Sequence, residues 1–259
     1  VTVVAEKTLG RGGASFRVWE KGEGPTVGYL AGLGGATRWT PFLERLSKDR
    51  HVVVPSLPGF PGGSDGELLD DIADWVAATL DVVESCGLVG CDLIGASVGA
   101  MLGAEAASFS PSLVRRLVLI SPLGLYDDED PVADVFAALP PELPGLLCCN
   151  ADYLEHHYRS PRGYDQTEWK IVMARAAVAA ARLLWPLPDR GLARRLHSVQ
   201  QPTLIIWGAD DRVASPAYAE RFARAISGPT TVELVPGAGH MADLDSAEEV
   251  ARFVLRFLD

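Results

Sequence analysis

No run in this 259-residue chain reaches the roughly 18 uncharged apolar residues of a membrane-spanning helix. Even the alanine-rich stretch Ile171–Leu184 is broken by Arg175 and Arg182. Basic residues are in deficit: 23 Lys and Arg stand against 34 Asp and Glu, a formal charge of −11, and no basic cluster occurs. Such a surface repels polyphosphates and anionic lipids, so neither nucleic acid nor a membrane is expected as a partner. Cysteine is scarce: Cys86, Cys91, Cys148 and Cys149 include one vicinal pair and show neither metal-ligand spacing nor a secreted disulfide framework. Reduced thiols in a cytoplasmic protein without a bound metal are therefore expected. The first apolar run, interrupted by Glu6 and Lys7, carries no signal-peptide pattern.

What is present is enough to build a core. Hydrophobic residues make up 48% of the chain, and its length suits one large domain or one domain carrying an insertion. Short β-branched runs alternate with amphipathic stretches, the pattern of an α/β fold in which a mostly parallel sheet is flanked by helices. Strands are expected at Ser15–Trp19, Thr26–Ala31, Val52–Pro55, Asp92–Gly95, Leu117–Ser121, Thr203–Trp207 and Thr231–Pro236. Apolar residues at three- and four-residue spacing predict helices over Leu68–Ser85, Val98–Phe109, Pro216–Ile226 and Ala247–Leu258. At the start, strand-like runs around Val1–Leu9 and Ser15–Trp19, separated by Gly10-Arg11-Gly12-Gly13, predict an antiparallel edge hairpin.

The alternation stops after Ser121 and resumes at Thr203. The stretch between is too long for a plain loop and shows helical patterns without a convincing strand. The expected organisation is a core of residues 1–123 and 199–259, interrupted by a helical cap or lid over residues 124–198. That segment supplies Phe136, Leu139, Leu143, Tyr158, Trp169 and Trp185 alongside Arg159, Arg162 and Arg175. An apolar wall with few polar anchors suits a small or medium acyl or aromatic substrate better than a sugar or a polyanion.

Gly95-Ala96-Ser97-Val98-Gly99 matches G-x-S-x-G, but so does Gly62-Gly63-Ser64-Asp65-Gly66, so the pattern alone decides nothing. Context separates them. Ser97 lies between a buried-type strand and a small-residue helix, the strained turn that projects a nucleophilic hydroxyl, whereas Ser64 follows a Pro-Gly loop. Glycines at 95 and 99 relieve crowding at that turn, and Gly103 is expected to let the helix lie close to the sheet.

A serine hydroxyl needs a base to take its proton. Of five histidines, His240 stands in Pro236-Gly237-Ala238-Gly239-His240, directly after the last strand and at the same sheet edge as Ser97. Asp210 and Asp211 reach that edge after the strand Thr203–Trp207, and either could orient the imidazole. The other place for an orienting acid, the end of the Leu117–Ser121 strand, holds Ser121-Pro122 instead. Serine, acid and histidine then follow in the chain order of one hydrolase fold, not that of chymotrypsin or subtilisin.

Gly95-x-Ser97-x-Gly99, Trp207-Gly208-Ala209-Asp210-Asp211-Arg212-Val213 and Pro236-Gly237-Ala238-Gly239-His240 together resemble the α/β-hydrolase superfamily over essentially the whole chain. The resemblance selects Asp211, three residues after the glycine of W-G-x-x-D, as the acid. It also makes Ser64, in a loop similar to L-P-G-F-G-x-S, a structural position. Oxyanion donors are then the backbone amides of Val98 and, by resemblance, Leu33 in Ala31-Gly32-Leu33-Gly34. The family usually has histidine where Ala31 stands.

Serine at the elbow sets the chain apart from dehalogenases and epoxide hydrolases, which resemble this pattern with aspartate there. Met241 after His240 replaces the tryptophan typical of C–C bond hydrolases. The expected function is a serine hydrolase acting on a small or medium, largely apolar carboxylic ester through an acyl-enzyme on Ser97, with no cofactor. Its alternatives are a C–C bond hydrolase of the meta-cleavage type and a non-catalytic ligand-binding member of the fold. Phe136, Leu139, Leu143, Trp169 and Met241 are the expected substrate contacts, a small molecule is the expected partner, and nothing in the sequence speaks to oligomeric state.

Overall fold

The computed structural model describes residues 4–11, 13–161, 163–187 and 189–259. The parts of the sequence expectations that fall on Val1–Val3, Gly12 and Arg162 lie outside the described residues. The edge hairpin forms between β1 (Ala5–Arg11) and β2 (Ala14–Lys21), with Ala5 opposite Glu20 and Arg11 opposite Ala14. Gly10 and Arg11 continue the strand instead of belonging to the turn.

The remaining strands are β3 (Thr26–Leu30), β4 (His51–Pro55), β5 (Cys91–Ala96), β6 (Val114–Ile120), β7 (Thr203–Gly208) and β8 (Thr230–Val235). They form one eight-stranded sheet in the order β1-β2-β4-β3-β5-β6-β7-β8. The β1–β2 and β2–β4 pairs are antiparallel and all others parallel. A parallel sheet must be covered on both faces, which explains continuous apolar runs such as Leu117–Ile120. Leu117 and Leu119 join one core cluster with Leu30, Trp207 and Phe222. Val118 and Ile120 turn to the other, with Ile94, Ile206 and Val254.

Helices α1 (Pro41–Leu46) and α10 (Ala247–Leu258) cover one face, and α2 (Ile72–Ser85), α3 (Val98–Phe109) and α8 (Ala217–Ala225) the other. The expected helix over Leu68–Ser85 is instead a 3₁₀ turn at Gly66–Leu68 followed by α2. Asp71 breaks it: its carboxylate accepts the N–H groups of Ala73 and Asp74, while Asp74 accepts that of Asp71. Gly103 does not have the role expected of it. A Cβ there would meet its nearest neighbour at 3.6 Å, an ordinary contact.

Between β6 and β7 the chain forms α4 (Leu143–Leu147), α5 (Ala151–Tyr158), α6 (Gln166–Leu184) and α7 (Leu192–Arg195), and no strand among the described residues. Asn150 and Asp165 cap α5 and α6. Polar side chains fasten this segment to the sheet layers. Arg195 makes a two-pronged ion pair with the buried Glu105 of α3, at 2.6 and 2.7 Å. Thr37 and Arg38, just after β3, both donate to the His157 carbonyl at the end of α5.

Candidate active site

Ser97 joins β5 to α3 with φ 50° and ψ −115°, a left-handed conformation costly for a residue with a side chain. The flanking glycines make the turn possible. A Cβ at Gly99 would stand 2.2 Å from the Leu30 carbonyl oxygen, and one at Gly95 would stand 2.5 Å from Ala100 Cα. The Ser97 N–H donates to Ile120 of β6 at 2.8 Å, so sheet pairing continues up to the turn and locks it.

His240 comes from the loop between β8 and α9 (Ala242–Asp245), a short helix not anticipated from the sequence. Two carboxylates shape that loop. Asp210 accepts the Gly237 N–H and Asp245 the Gly239 N–H, at 2.9 and 2.8 Å. Asp211 follows β7 and turns inward, while Asp210 is exposed. The three expected residues meet: Ser97 Oγ lies 2.8 Å from His240 Nε2, and His240 Nδ1 lies 2.9 Å from Asp211 Oδ2. Asp211 Oδ1 accepts the N–H groups of Val213 and Ala214 at 2.8 and 3.1 Å, which fixes the carboxylate. Because a carboxylate only accepts, Nδ1 carries the ring proton and Nε2 presents its lone pair to the serine. All three residues are buried, so these contacts act in a low-dielectric surrounding.

The other histidines bond elsewhere: His51 to Thr26, His197 to the Arg194 carbonyl, His156 to Arg38. His157 is buried, and burial first, then the charge on Arg38, lowers its pKa to about 4. Ser64 Oγ accepts the Ser15 N–H and donates to Asp65, as a loop brace does.

Val98 opens α3, so its N–H belongs to the first turn, whose amides have no partner within the helix. The Ala31–Gly34 loop lies against the same point: a Cβ on Gly32 would be 3.1 Å from Ser97 Cβ. Ala31 is buried there and brings no polar group. Beside this loop opens a cavity of about 340 Å³ lined by Leu33, Gly34, Val135, Phe136, Leu143, Leu147, Tyr158, Met173, Ala177 and Ala180.

Of the five residues expected to contact substrate, Phe136 and Leu143 line this cavity, and Leu139, Trp169 and Met241 do not. Leu139 is 62% exposed, at a turn where the Glu142 carboxylate accepts its N–H before Pro140 and Pro141 redirect the chain. Trp169 is buried and donates its indole N–H to the Tyr158 carbonyl at 2.8 Å. Met241 is buried with its N–H on the Leu147 carbonyl at 2.9 Å, so it ties the histidine loop to α4.

Three residues near the site had no place in the sequence reading of it, or a different one. Tyr158, anticipated only as apolar bulk, donates its hydroxyl to the Leu33 carbonyl. Asp243 is buried and accepts the Tyr29 hydroxyl at 2.7 Å, and burial pushes its carboxyl up. Asp245 accepts the N–H groups of Cys149 and Asn150 in addition to that of Gly239. Among the described residues no cluster of His, Cys, Asp and Glu is arranged to hold a metal ion, and no helix is long and apolar enough to cross a membrane.

Residues 28–253 match the model of an alpha/beta hydrolase family. Polyketide synthase ThaQ of Burkholderia thailandensis is 29% identical over 96% of this chain, which spans only 12% of that protein. The 2-hydroxy-6-oxo-6-phenylhexa-2,4-dienoate hydrolase of Comamonas testosteroni is 27% identical over 92% of this chain and 89% of its own length. Among solved structures, naproxen esterase from Bacillus subtilis superposes with a TM-score of 0.76 and 16% identity, covering 100% of this chain and 92% of that one.

Proposed function

The chain belongs to the alpha/beta hydrolase family, and from that premise we propose that it is a serine hydrolase of small or medium, largely apolar carboxylic esters. One observation carries the reading: the unbroken chain of hydrogen bonds from Ser97 Oγ through His240 to Asp211. Ser97 Oγ attacks the ester carbonyl carbon as its proton passes to His240 Nε2, and Asp211 stabilises the imidazolium that forms. The carbonyl oxygen, now negative, faces the N–H groups of Val98 and Leu33. The bond to the alcohol oxygen breaks as His240 returns the proton to it, leaving an acyl group on Ser97. Water gives a proton to His240 and attacks the acyl carbon; the bond from that carbon to Ser97 Oγ then breaks as His240 returns the proton to Oγ, and the acid leaves.

The cavity beside Leu33 supports an apolar substrate, since none of its lining residues is charged. In this reading, residues 124–198 are the cap that roofs it. A second reading, C–C bond hydrolysis, draws on the likeness to the Comamonas enzyme. A dienoate, however, brings a carboxylate into its site, and burying that charge without a cation is costly. The uncharged lining therefore favours the ester.

A fluorophosphonate should label one serine per chain, in the peptide holding Ser97, and Ser97→Ala should abolish both labelling and p-nitrophenyl ester turnover. Labelling that survives Ser97→Ala would sink the assignment. Faster turnover of a meta-cleavage dienoate than of any ester in a chain-length series would favour the second reading.

A further inference from the structure

The helical insertion touches the oxyanion loop through a polar side chain. Tyr158, at the end of α5, donates its hydroxyl to the Leu33 carbonyl, on the residue whose N–H is assigned to the oxyanion. The loop has little stiffness of its own. Gly32, Gly34 and Gly35 flank Leu33, the last two with φ of 81° and 72°, and Ala31 supplies no polar support. Its internal brace is a turn bond from the Gly35 N–H to the Gly32 carbonyl at 2.9 Å. Holding the Leu33 carbonyl fixes the peptide on the far side of Leu33 Cα. With that turn bond on the near side, the direction of the Leu33 N–H is set as well.

The loop is also shaped around the phenol. A Cβ on Gly34 would stand 2.5 Å from Tyr158 Cε1 and 2.6 Å from its oxygen. The tyrosine in turn is held from two directions. Trp169 Nε1 donates to its carbonyl at 2.8 Å, and Thr37 and Arg38 both donate to the carbonyl of His157 just before it. A phenol fixed by both the insertion and the sheet layer is a rigid arm, suited to setting the position of a flexible loop.

We propose that Tyr158 is a positioning residue for the oxyanion hole: by holding the Leu33 carbonyl, its hydroxyl aims the Leu33 N–H at the oxygen of the tetrahedral intermediate. This rests on the assignment of Ser97 as nucleophile and Leu33 as donor. An N–H already aimed when charge develops on the oxygen stabilises the transition state without reorganisation, and the ester in its ground state gains little from it. Loss of the hydroxyl should therefore appear in kcat and leave substrate binding in place.

The test is Tyr158→Phe, which keeps the ring that lines the cavity and removes only the bond. Turnover of p-nitrophenyl butyrate is measured below the melting temperatures of both proteins. Losing an oxyanion donor outright costs about 10²–10³ in kcat, so misaiming one should cost about 10- to 100-fold. KM should stay within about twofold. Inhibition by butylboronic acid, whose adduct on Ser97 places a negative oxygen in the hole, should weaken by the same factor as kcat. An unchanged kcat, or a rise in KM alone, would overturn the proposal and leave Tyr158 as a wall of the cavity. Should the unsubstituted chain fail to take a fluorophosphonate at Ser97, the hydrolase reading itself falls and this proposal with it; labelling with an unaffected Tyr158→Phe removes only the proposal.

Discussion

Replacing Asp211 by asparagine should disable the site through the tautomer of His240, and the structure shows how. The two oxygens of Asp211 have separate tasks: Oδ1 accepts two backbone N–H groups, from Val213 and Ala214, and Oδ2 accepts the proton on His240 Nδ1. In Asp211→Asn the amide oxygen must remain opposite the two N–H groups, because an NH₂ there would face two donors. The NH₂ is then left facing Nδ1. The imidazole can satisfy it only by moving its proton to Nε2, and Nε2–H cannot take a proton from Ser97. Fold and substrate binding should be nearly unaffected, since the side chain has the same shape. Turnover should fall roughly 10²- to 10⁴-fold, up to about 5 kcal/mol in the barrier. The assay is kcat for a p-nitrophenyl ester, beside a thermal melt to show that the fold survives. Asp210→Asn is the control, since that exposed carboxylate accepts the Gly237 N–H at the loop surface and does not touch His240. A loss under about tenfold for Asp211→Asn, or an equal loss for Asp210→Asn, would refute the argument.

The surroundings of the site set further expectations. His157 is held neutral with a pKa near 4, so between the unfolded value of about 6.5 and 4 the unfolded chain binds a proton the folded chain does not. Stability should thus fall with pH through that window, by roughly 2 kcal/mol at pH 5 from this residue. His157→Gln should remove that part of the loss between pH 7.5 and 5 in urea titrations; an unchanged loss would count against a neutral buried ring. Asp245→Ala strips the acceptor from three backbone N–H groups and should lower unfolding free energy by about 1–3 kcal/mol in the same titrations. Phe136→Ala enlarges the cavity and should move the optimum of a p-nitrophenyl ester series toward longer acyl chains, with Ser97 labelling intact. No shift in preference would mean that the substrate lies elsewhere.

Much of this architecture was legible because its causes are local. The parallel strands announce themselves as short runs of apolar and β-branched residues, and α3 and α10 span the bounds that apolar spacing predicts. The meeting of Ser97, Asp211 and His240 was legible for a topological reason: β5, β7 and β8 are parallel, so the loops leaving their C-terminal ends all emerge at one sheet edge. Local signals were also overlooked. Thr40-Pro41 is a cap followed by a first-turn proline and marks α1, and Asp71 with Asp74 marks where α2 begins. Tyr158 on Leu33, Tyr29 on Asp243 and Asp245 on Cys149 were not legible. Each joins residues about a hundred or more positions apart, and nothing in the residues around a tyrosine signals which distant acceptor its hydroxyl will find. The exposure of Leu139 was not legible either: hydrophobic character alone does not show that the prolines just after it leave it in solvent.

The long-range contacts also bear on how a substrate could enter. The insertion is fastened to both halves of the proposed machinery. Tyr158 holds the loop of Leu33, the proposed oxyanion donor, while the Leu147 carbonyl and the Cys149 and Asn150 amides hold the loop that carries His240. Arg38 and Thr37 add two bonds to the His157 carbonyl, and Arg195 adds a paired charge on Glu105. With each bond contributing about 0.5–1.5 kcal/mol and those to charged groups more, swinging the whole segment away would cost many kcal/mol. It would also leave the Glu105 carboxylate buried without its partner. If the segment is the proposed cap, such a motion would release the Leu33 loop and loosen the His240 loop, so an open state of that kind would admit substrate to a site that no longer works. Entry by side-chain movement around the cavity beside Leu33, at Phe136, Leu143 and Met173, requires none of those bonds to break.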